Sequence, residues 1–576
     1  MDVLILAAGL GSRLSKYTHN IIPKYLIPIN EKNGLQYIIS YWSNYTENIY
    51  LVIHSNYDKI TQFYIEHFLK EHKHKIKIIH YDTNDGTAYT LSYVLNNMIT
   101  KPIHENLLIT WCDLYPDTFI DFANLKNNTL EINQHPSETN SKTETNSQTE
   151  TNSQKIYVIT NPNKCRYLLD DNNNILHDDT NNGNIVGIYY FQNFKPFLLH
   201  NNDEIKQTDI VIYLNSIGQI INLPVEKIVD FGDEEKMNKL LQNIENMQNI
   251  QSNNNLKCRY FNSLNITNDE TKLIKCGIDD KGKILIKNEC IWYEYLKEIN
   301  KNQTIPSSII PLPEIYEIYE YGYLMEYKKN HIPLYQYLNN SETTEEIKEI
   351  ILDNVISNLN KIHVLETKSI SKIVFFNNLK IEIYDKIYER KKIIQDLIYY
   401  FGPIITVNNV MIDPFDTVIN NCKNIIIQYY ESLNIFDYNI IVGDCNFSNI
   451  LIDPTNIENN NSLTFIDPRG YFGNSSIHGP KDYDYAKILY AISGYDAFNN
   501  SYFNLDSFDI KNKSIMFKIP SIEYNRSIIN KYFNKVHKAY MVLIWLSLPE
   551  YNKNNIWKCF ASYYYGLYLG TLLSQS

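Results

Sequence analysis

The apolar positions open with an unbroken run over residues 3–6, too short for anything but a buried strand. Residues 49–53 and 76–80 repeat that pattern, while 35–43 and 59–70 carry apolar side chains at helical spacing. Strands alternating with helices at this interval predict a mostly parallel sheet flanked by helices, with further strands over 107–110 and 187–191. Sites in such sheets collect at the carboxyl ends of the strands. From residue 258 the pattern changes to short strands, including 272–275, with a helical run opening at Glu289. A long helical region follows, then strands over 440–442 and 463–466, and the aromatic run ASYYYGLYLG reads as helix core.

The expected organisation is therefore an α/β domain over 1–243, a linker over 244–257 rich in Asn and Gln, and a bilobal α+β domain over 258–576, its lobes meeting near residue 330. Within the first domain the tandem hexapeptides ETNSKT, ETNSQT and ETNSQK lack branched apolar and aromatic residues. They cannot bury enough surface to order themselves, so about 133–155 reads as a disordered insertion.

Composition narrows the chemistry. A chain of 576 residues, 44% of them hydrophobic, exceeds one core and has apolar material for several. A net charge of −12 disfavours nucleic-acid polymers and anionic membranes, both of which prefer basic faces, so small molecules are the expected partners. The 8 cysteines form no CxxC pair or Cys/His cluster, which argues against structural zinc and a disulfide framework. No basic lead precedes the first apolar run, and no run approaches the roughly 20 apolar residues of a membrane span. A soluble, cytoplasmic protein is expected.

The sharpest local signal is LAAGLGSR followed by Pro23-Lys24. Ala8, Gly9 and Gly11 follow the first strand, and two residues without a Cβ let the backbone turn its N–H groups toward an anion. Arg13 brings a fixed planar charge and Lys24 a point charge after a rigid turn. A dinucleotide fingerprint is excluded because Leu14 replaces its third glycine, and a Walker loop because Gly11-Ser12-Arg13 lacks Gly-Lys-Ser/Thr. The motif resembles that of nucleotidyltransferases that make nucleotide-sugars and related activated head groups. The resemblance implies that Gly86 and Thr87 contact nucleotide, although a helix N-terminus with Thr87 near its cap accounts for them equally well. It also implies that Asp113, in Trp111-Cys112-Asp113, and Asp230, in Val229-Asp230-Phe231-Gly232, hold Mg²⁺ against the triphosphate. One departure touches the acceptor: Thr160-Asn161-Pro162 stands where the family carries Glu-Lys-Pro.

In the second half, strand Lys275 and helix Glu289 suit the device that holds α- and β-phosphates in kinases, and Glu326, in 323–327, falls at the hinge behind adenine. Asp444 and Asn449 are five apart on one loop, and Asp467 ends a neighbouring strand. That spacing lets Asp444 accept a hydroxyl proton while Asn449 and Asp467 take Mg²⁺. The stretch resembles the aminoglycoside phosphotransferase and choline kinase group. Two departures are visible: Val442 replaces the loop-supporting His, and no glycine-rich loop is present. His363 reads as a packed helix residue, and the Asp482 to Lys487 segment either as the family's or as an acidic helix start. Together the halves predict ATP-dependent phosphorylation of a hydroxyl on a sugar or amino alcohol, followed by coupling of that phosphate to a second NTP; the alternatives are a nucleotidyltransferase whose kinase-like half only binds, and a non-enzymatic scaffold.

Overall fold

Strand Asp2–Leu6 is buried along its whole length, which is why its sequence runs apolar without alternation. It lies between Ile49–Ile53 and Leu107–Trp111, parallel to both, and Ile76–His80 extends the sheet in parallel beyond Ile49–Ile53. On the other side Ile185–Gln192 pairs antiparallel with Leu107–Trp111 and with Gln154–Thr160, and Gly218–Pro224 closes that edge in parallel. The result is a 7-stranded, mostly parallel mixed sheet. Helices Gly34–Trp42, opened by an Asn33/Gln36 capping box, and Asp58–Phe68 alternate with its strands as the periodicity predicts.

The computed structural model describes residues 1–9, 11–30, 32–83, 90–91, 93–95, 106–120, 122, 154–160, 168–169, 175–176, 185–192, 218–225, 227–252, 261–303, 310–400, 402–457, 462–500 and 503–575. They fall into two compact units, Met1–Asn246 and Met247–Ser576. Gly86, Thr87, Asn161, Pro162 and the repeat insertion through residue 153 lie outside the described residues, while Gln154 and Lys155, its expected last residues, open strand Gln154–Thr160. Among described residues, helix Glu234–Ser252 occupies much of the segment expected as linker.

The second unit carries a 4-stranded antiparallel sheet in the order Asn262–Ile266, Lys272–Gly277, Gly322–Glu326, Ile315–Tyr319. Its long helix begins at Asp280, not at Glu289, and runs to Gln303. Polar residues 280–283 obscured that start, because the apolar stripe begins only after them. The larger lobe is helical, with Glu345–His363, Phe415–Leu433, Lys481–Ile492, Lys535–Ser547 and Ile556–Gln575 enclosing buried Tyr430, Tyr540, Trp545 and Phe560. Helices Phe415–Leu433 and Ile556–Gln575 cross so closely that a Cβ on Gly570 would stand 2.3 Å from Val418 Cγ1. The expected strand over 440–442 is displaced: the ladder covers Asp437–Ile440, the Ile441 N–H donates to the Ile477 carbonyl at 3.2 Å, and the Val442 amide turns to a side chain described below.

Trp292, fully buried on helix Asp280–Gln303, donates its indole N–H to the Ile441 carbonyl at 2.8 Å, tying the small lobe to the start of the second candidate site. Trp292→Phe keeps most of the apolar volume but strands that carbonyl. It should lower the unfolding free energy of this unit by about 1–3 kcal/mol in urea denaturation.

Candidate active sites

In the first unit two chain exits are held side by side at the carboxyl edge of the sheet. Ala7 N–H donates to Val52 O at 2.8 Å and Cys112 N–H to Leu6 O at 3.2 Å, so the glycine loop and the Asp113 turn leave together. Gly11 has φ of 67°, and a Cβ there would lie 3.3 Å from Lys24 Cβ. At Gly9 a Cβ would meet no protein atom within 4 Å, so the bare backbone there faces open space, as close approach of a ligand requires. Ala8 is half-buried beside it.

Lys24 opens a one-turn 3₁₀ helix after Pro23 and donates Nζ to Asp113 Oδ2 at 2.7 Å. Asp113 is fully buried between strands Leu107–Trp111 and Leu114–Pro116. Strand Ile228–Asp230 pairs antiparallel with Leu114–Pro116, placing Asp230 opposite Leu114 and next to Asp113. The two carboxylates converge on Gly232, where a Cβ would stand 2.5 Å from Asp113 Oδ2 and 3.2 Å from Asp230 Oδ1. Glycine thus preserves a cradle between the two acids. Two adjacent carboxylates fit Mg²⁺ that completes its shell with phosphate oxygens and water, and no larger cluster of His, Cys, Asp or Glu occurs among the described residues.

Lys236 had no signal in the sequence beyond its place in an ordinary charged helix. Its Nζ bridges Asp230 Oδ2 at 2.8 Å and Asp233 Oδ2 at 3.2 Å. Burial alone would raise the Asp233 carboxyl, but the Lys236 amide and ammonium, with Arg13 behind them, hold it below the usual range. Arg13, exposed on the 3₁₀ turn Ser12–Leu14, is thereby placed on the same side as the late acidic residues. Burial pushes the neighbouring Cys112 thiol up to about 12, so it is no nucleophile.

In the second unit Lys275 Nζ lies 2.8 Å from Glu289 Oε2 and 2.7 Å from Asp467 Oδ1, and Tyr323 donates its hydroxyl to Glu289 at 2.7 Å. Burial works to lower the Lys275 pKa, but Asp467 and Glu289 together raise it, so the ammonium stays charged. Asp467 sits at φ 56°, a left-handed conformation that costs a residue with a Cβ and is held by its surroundings. Strands Ile450–Ile452 and Leu463–Phe465 pair antiparallel, and Ile466 N–H donates to Asn449 O at 3.0 Å, bringing Asn449 and Asp467 to one end. Asn449 donates its amide to Asp444 O at 2.8 Å and Oδ2 at 3.3 Å. Its side-chain oxygen and the Asp467 carboxylate are hard donors of the kind Mg²⁺ takes. Glu326 stands apart from this group in its contacts: its carboxylate receives the Glu314 N–H at 3.3 Å and pairs with Lys328 at 2.8 Å.

The loop carrying Asp444 is supported by Asp484, fully buried on helix Lys481–Ile492. Its carboxylate accepts the Val442 N–H at 2.8 Å and the Gly443 N–H at 2.7 Å, and His363 Nε2 reaches it at 3.0 Å. The Val442 amide is the one missing from the expected strand. Loop support thus survives the replacement of His by Val442, with packed His363 contributing through Asp484. Three residues on, Lys487 donates to Asp444 Oδ1 at 2.8 Å. The Asp482 to Lys487 segment was visible in the sequence, but a helix start explained it until these contacts were seen. Asp496, which carried no signal, accepts the Phe447 N–H at 3.2 Å and the Ser448 N–H at 3.0 Å.

No family model matches the chain. Over 98 residues, 17% of this chain, it is 38% identical to the bifunctional protein GlmU of Methanococcus aeolicus, and over 88 residues 39% identical to that of Methanocaldococcus jannaschii. The chain spans 22% and 20% of the length of these curated relatives. Among solved structures, the CTP:phosphocholine cytidylyltransferase LicC of Streptococcus pneumoniae aligns with 42% of this chain and 98% of its own, at 17% identity and TM-score 0.28. Choline kinase LicA of the same organism aligns with 58% of this chain and 100% of its own, at 13% identity and TM-score 0.31.

Burial, aided by the Asp444 charge and opposed by hydrogen bonds from Ser448 and Phe447, raises the Asp496 pKa to about 6. A carboxyl whose folded pKa exceeds its unfolded one favours folding most below the unfolded value and loses that contribution as pH rises through the folded value. Asp496→Asn removes this dependence. Between pH 4 and pH 7 the stability of the variant should gain on wild type by up to about 3 kcal/mol, read by denaturation of the second unit across that range.

Proposed function

We propose that the chain is a bifunctional transferase of small molecules. Its second unit moves the γ-phosphoryl group of ATP to an acceptor hydroxyl, and its first unit joins the resulting phosphate to an NTP. The observation that carries the proposal is the convergence of Lys24, Asp113 and Asp230 on Gly232 beside the glycine loop, matched by the convergence of Lys275, Asp467, Asn449 and Asp444. The short match to bifunctional GlmU proteins supports the transferase reading without naming an acceptor.

In the second unit Lys275, held by Glu289, meets the α- and β-phosphates. Asp444, oriented by Lys487 and Asn449, accepts the proton of the attacking hydroxyl. The acceptor oxygen bonds to the γ-phosphorus, the bond to the bridging oxygen breaks, and ADP leaves. In the first unit a phosphate-monoester oxygen bonds to the α-phosphorus of the NTP while the α–β bridge breaks and pyrophosphate leaves. Arg13 and Lys24 offset the negative charge gathered there. Magnesium, held by Asp113 and Asp230 in one unit and by Asn449 and Asp467 in the other, would supply further neutralisation of phosphate oxygens.

The test separates the halves in the full chain supplied with mixed NTPs and a small-metabolite extract. Lys24→Ala or Asp113→Asn should lower acceptor-dependent pyrophosphate release by about 10²–10³-fold and leave ADP formation unchanged. Asp444→Asn should lower acceptor-dependent ADP formation by about 10²–10⁴-fold. Wild-type protein that forms neither ADP nor pyrophosphate with any metabolite would refute the proposal.

A further inference from the structure

One cluster in the helical lobe buries more positive than negative charge. Helix Lys372–Leu379 passes through a π-helical turn, Lys380–Asp385, into helix Lys386–Tyr400. Turns of this kind recur at functional sites because they rotate the succeeding helix onto a new face. Here the turn buries Glu382, which pairs with the Arg469 guanidinium, accepts Lys386 Nζ at 2.8 Å and receives the Gly473 N–H at 3.3 Å. Two side-chain cations therefore share one carboxylate. Arg390 adds further positive potential at Lys386, although its guanidinium is bonded to the Ser547 carbonyl at 2.7 Å and the Tyr551 hydroxyl at 2.9 Å.

The cluster adjoins the catalytic loop. Arg469 is two residues past Asp467, its N–H donates to Val442 O at 2.7 Å, and its Cβ would be 2.8 Å from a Cβ on Gly443, the residue before Asp444. Its guanidinium donates to the Tyr483 hydroxyl at 2.9 Å, and the Lys487 ammonium that holds Asp444 lies 5.9 Å from the Tyr483 ring. Side-chain exposure rises from 4% at Glu382 through 12% at Arg469 to 23% at Lys386, so Lys386 is the least enclosed of the three. An unbalanced buried charge is costly, and an arriving anion relieves that cost. The Arg469–Glu382 pair alone would brace the loop; Lys386 is surplus to that task. Burial, then Arg469, depress the Lys386 pKa to about 7 against the pull of Glu382, as an under-compensated ammonium requires.

Resting on the phosphotransferase reading above, we propose that Lys386, backed by Arg469, binds an anionic group, carboxylate or phosphate, on the hydroxylated acceptor that the second unit phosphorylates. A quaternary amine is repelled from this position, which disfavours amino alcohols as acceptors. The product carries the original anion and a new phosphate monoester, the group the first unit then joins to a nucleotide.

The test uses the full chain with ADP and Mg²⁺ and four probes: D-gluconate, glycerol 3-phosphate, glycerol and choline. Equilibrium dialysis should give at least one anionic probe ten-fold tighter binding than glycerol or choline, and which anion binds separates carboxylate from phosphate. Lys386→Met, which leaves the Arg469–Glu382 pair in place, should weaken that anion at least ten-fold at unchanged ADP affinity, and Lys386→Arg should restore it. Equal weak binding of all probes, anion binding insensitive to Lys386→Met, or tightest binding of choline overturns the proposal. In parallel, γ-labelled ATP is offered with acidic, neutral and basic fractions of a metabolite extract. Label entering the acidic fraction supports the proposal, and label confined to the neutral or basic fraction overturns it. Label in no fraction, alongside anion binding that depends on Lys386, refutes phosphotransfer while the anion site stands.

Discussion

A carboxylate brought out of water needs a cation or hydrogen-bond donors, and the acids of both candidate sites are arranged around cations. Asp113 has Lys24 at 2.7 Å, Asp230 has Lys236 at 2.8 Å, Asp444 has Lys487 at 2.8 Å and Asp467 has Lys275 at 2.7 Å. Asp230 and Lys236 are near neighbours across one strand-to-helix turn, whereas the other three pairs exist only where the fold brings distant segments together. The same pairing gives the sites their chemical capacity. A lysine that holds a carboxylate in the protein alone is already positioned beside the place where phosphate oxygens and their magnesium would arrive, and can exchange one anionic partner for another.

The second requirement is that irregular backbone near the chemistry be satisfied without a sheet. At Val442, Gly443, Phe447 and Ser448 the loop amides find the buried carboxylates of Asp484 and Asp496. Charge-assisted hydrogen bonds of this kind are the stronger class, and they fix a loop that strand pairing alone would leave short of partners. Trp292 and Arg469 add anchors from other parts of the second unit: one binds the Ile441 carbonyl and the other the Val442 carbonyl. Asp444 is thus presented by a backbone held at both its amides and its carbonyls.

In the proposed reaction sequence the two chemistries would follow one another in kind, since a phosphate monoester would be the product of one and the nucleophile of the other. Joining them in one chain raises the local concentration of the shared intermediate only as far as exchange between sites outpaces diffusion. The charge balance around Glu382 bears on which intermediate that is. Two cations on one buried carboxylate, one of them in the segment that follows Asp467, would favour an anionic acceptor over a cationic one by charge alone.

The strand-borne part of this protein was legible from the order of its residues. Apolar runs and helical spacing located the strand Asp2–Leu6, the alternation through Ile76–His80, and the separation into an α/β unit and a bilobal α+β unit, because burial demands these periodicities locally. Short motifs also named Lys24, Asp113, Asp230, Asp444, Asn449 and Asp467, which stand at or beside turns and strand ends, while Lys275 and Glu289 were named from a strand followed by a helix. The helix start at Asp280 was hidden by polar residues, and the end of the strand at Ile440 was decided by a side chain 44 residues later, Asp484. The pairing of Lys275 with Glu289 is read from strand and helix order, while Lys24 with Asp113, Lys487 with Asp444 and Arg469 with Glu382 meet only through the packing of distant segments. Lys386 stands four residues from both Glu382 and Arg390, a helical spacing that an ordinary solvated face shares. Lys24–Asp113, Lys275–Asp467, Lys487–Asp444 and Arg469–Glu382 join residues far apart in sequence and leave no periodicity along the chain, because such a pair depends on the position of two groups in space.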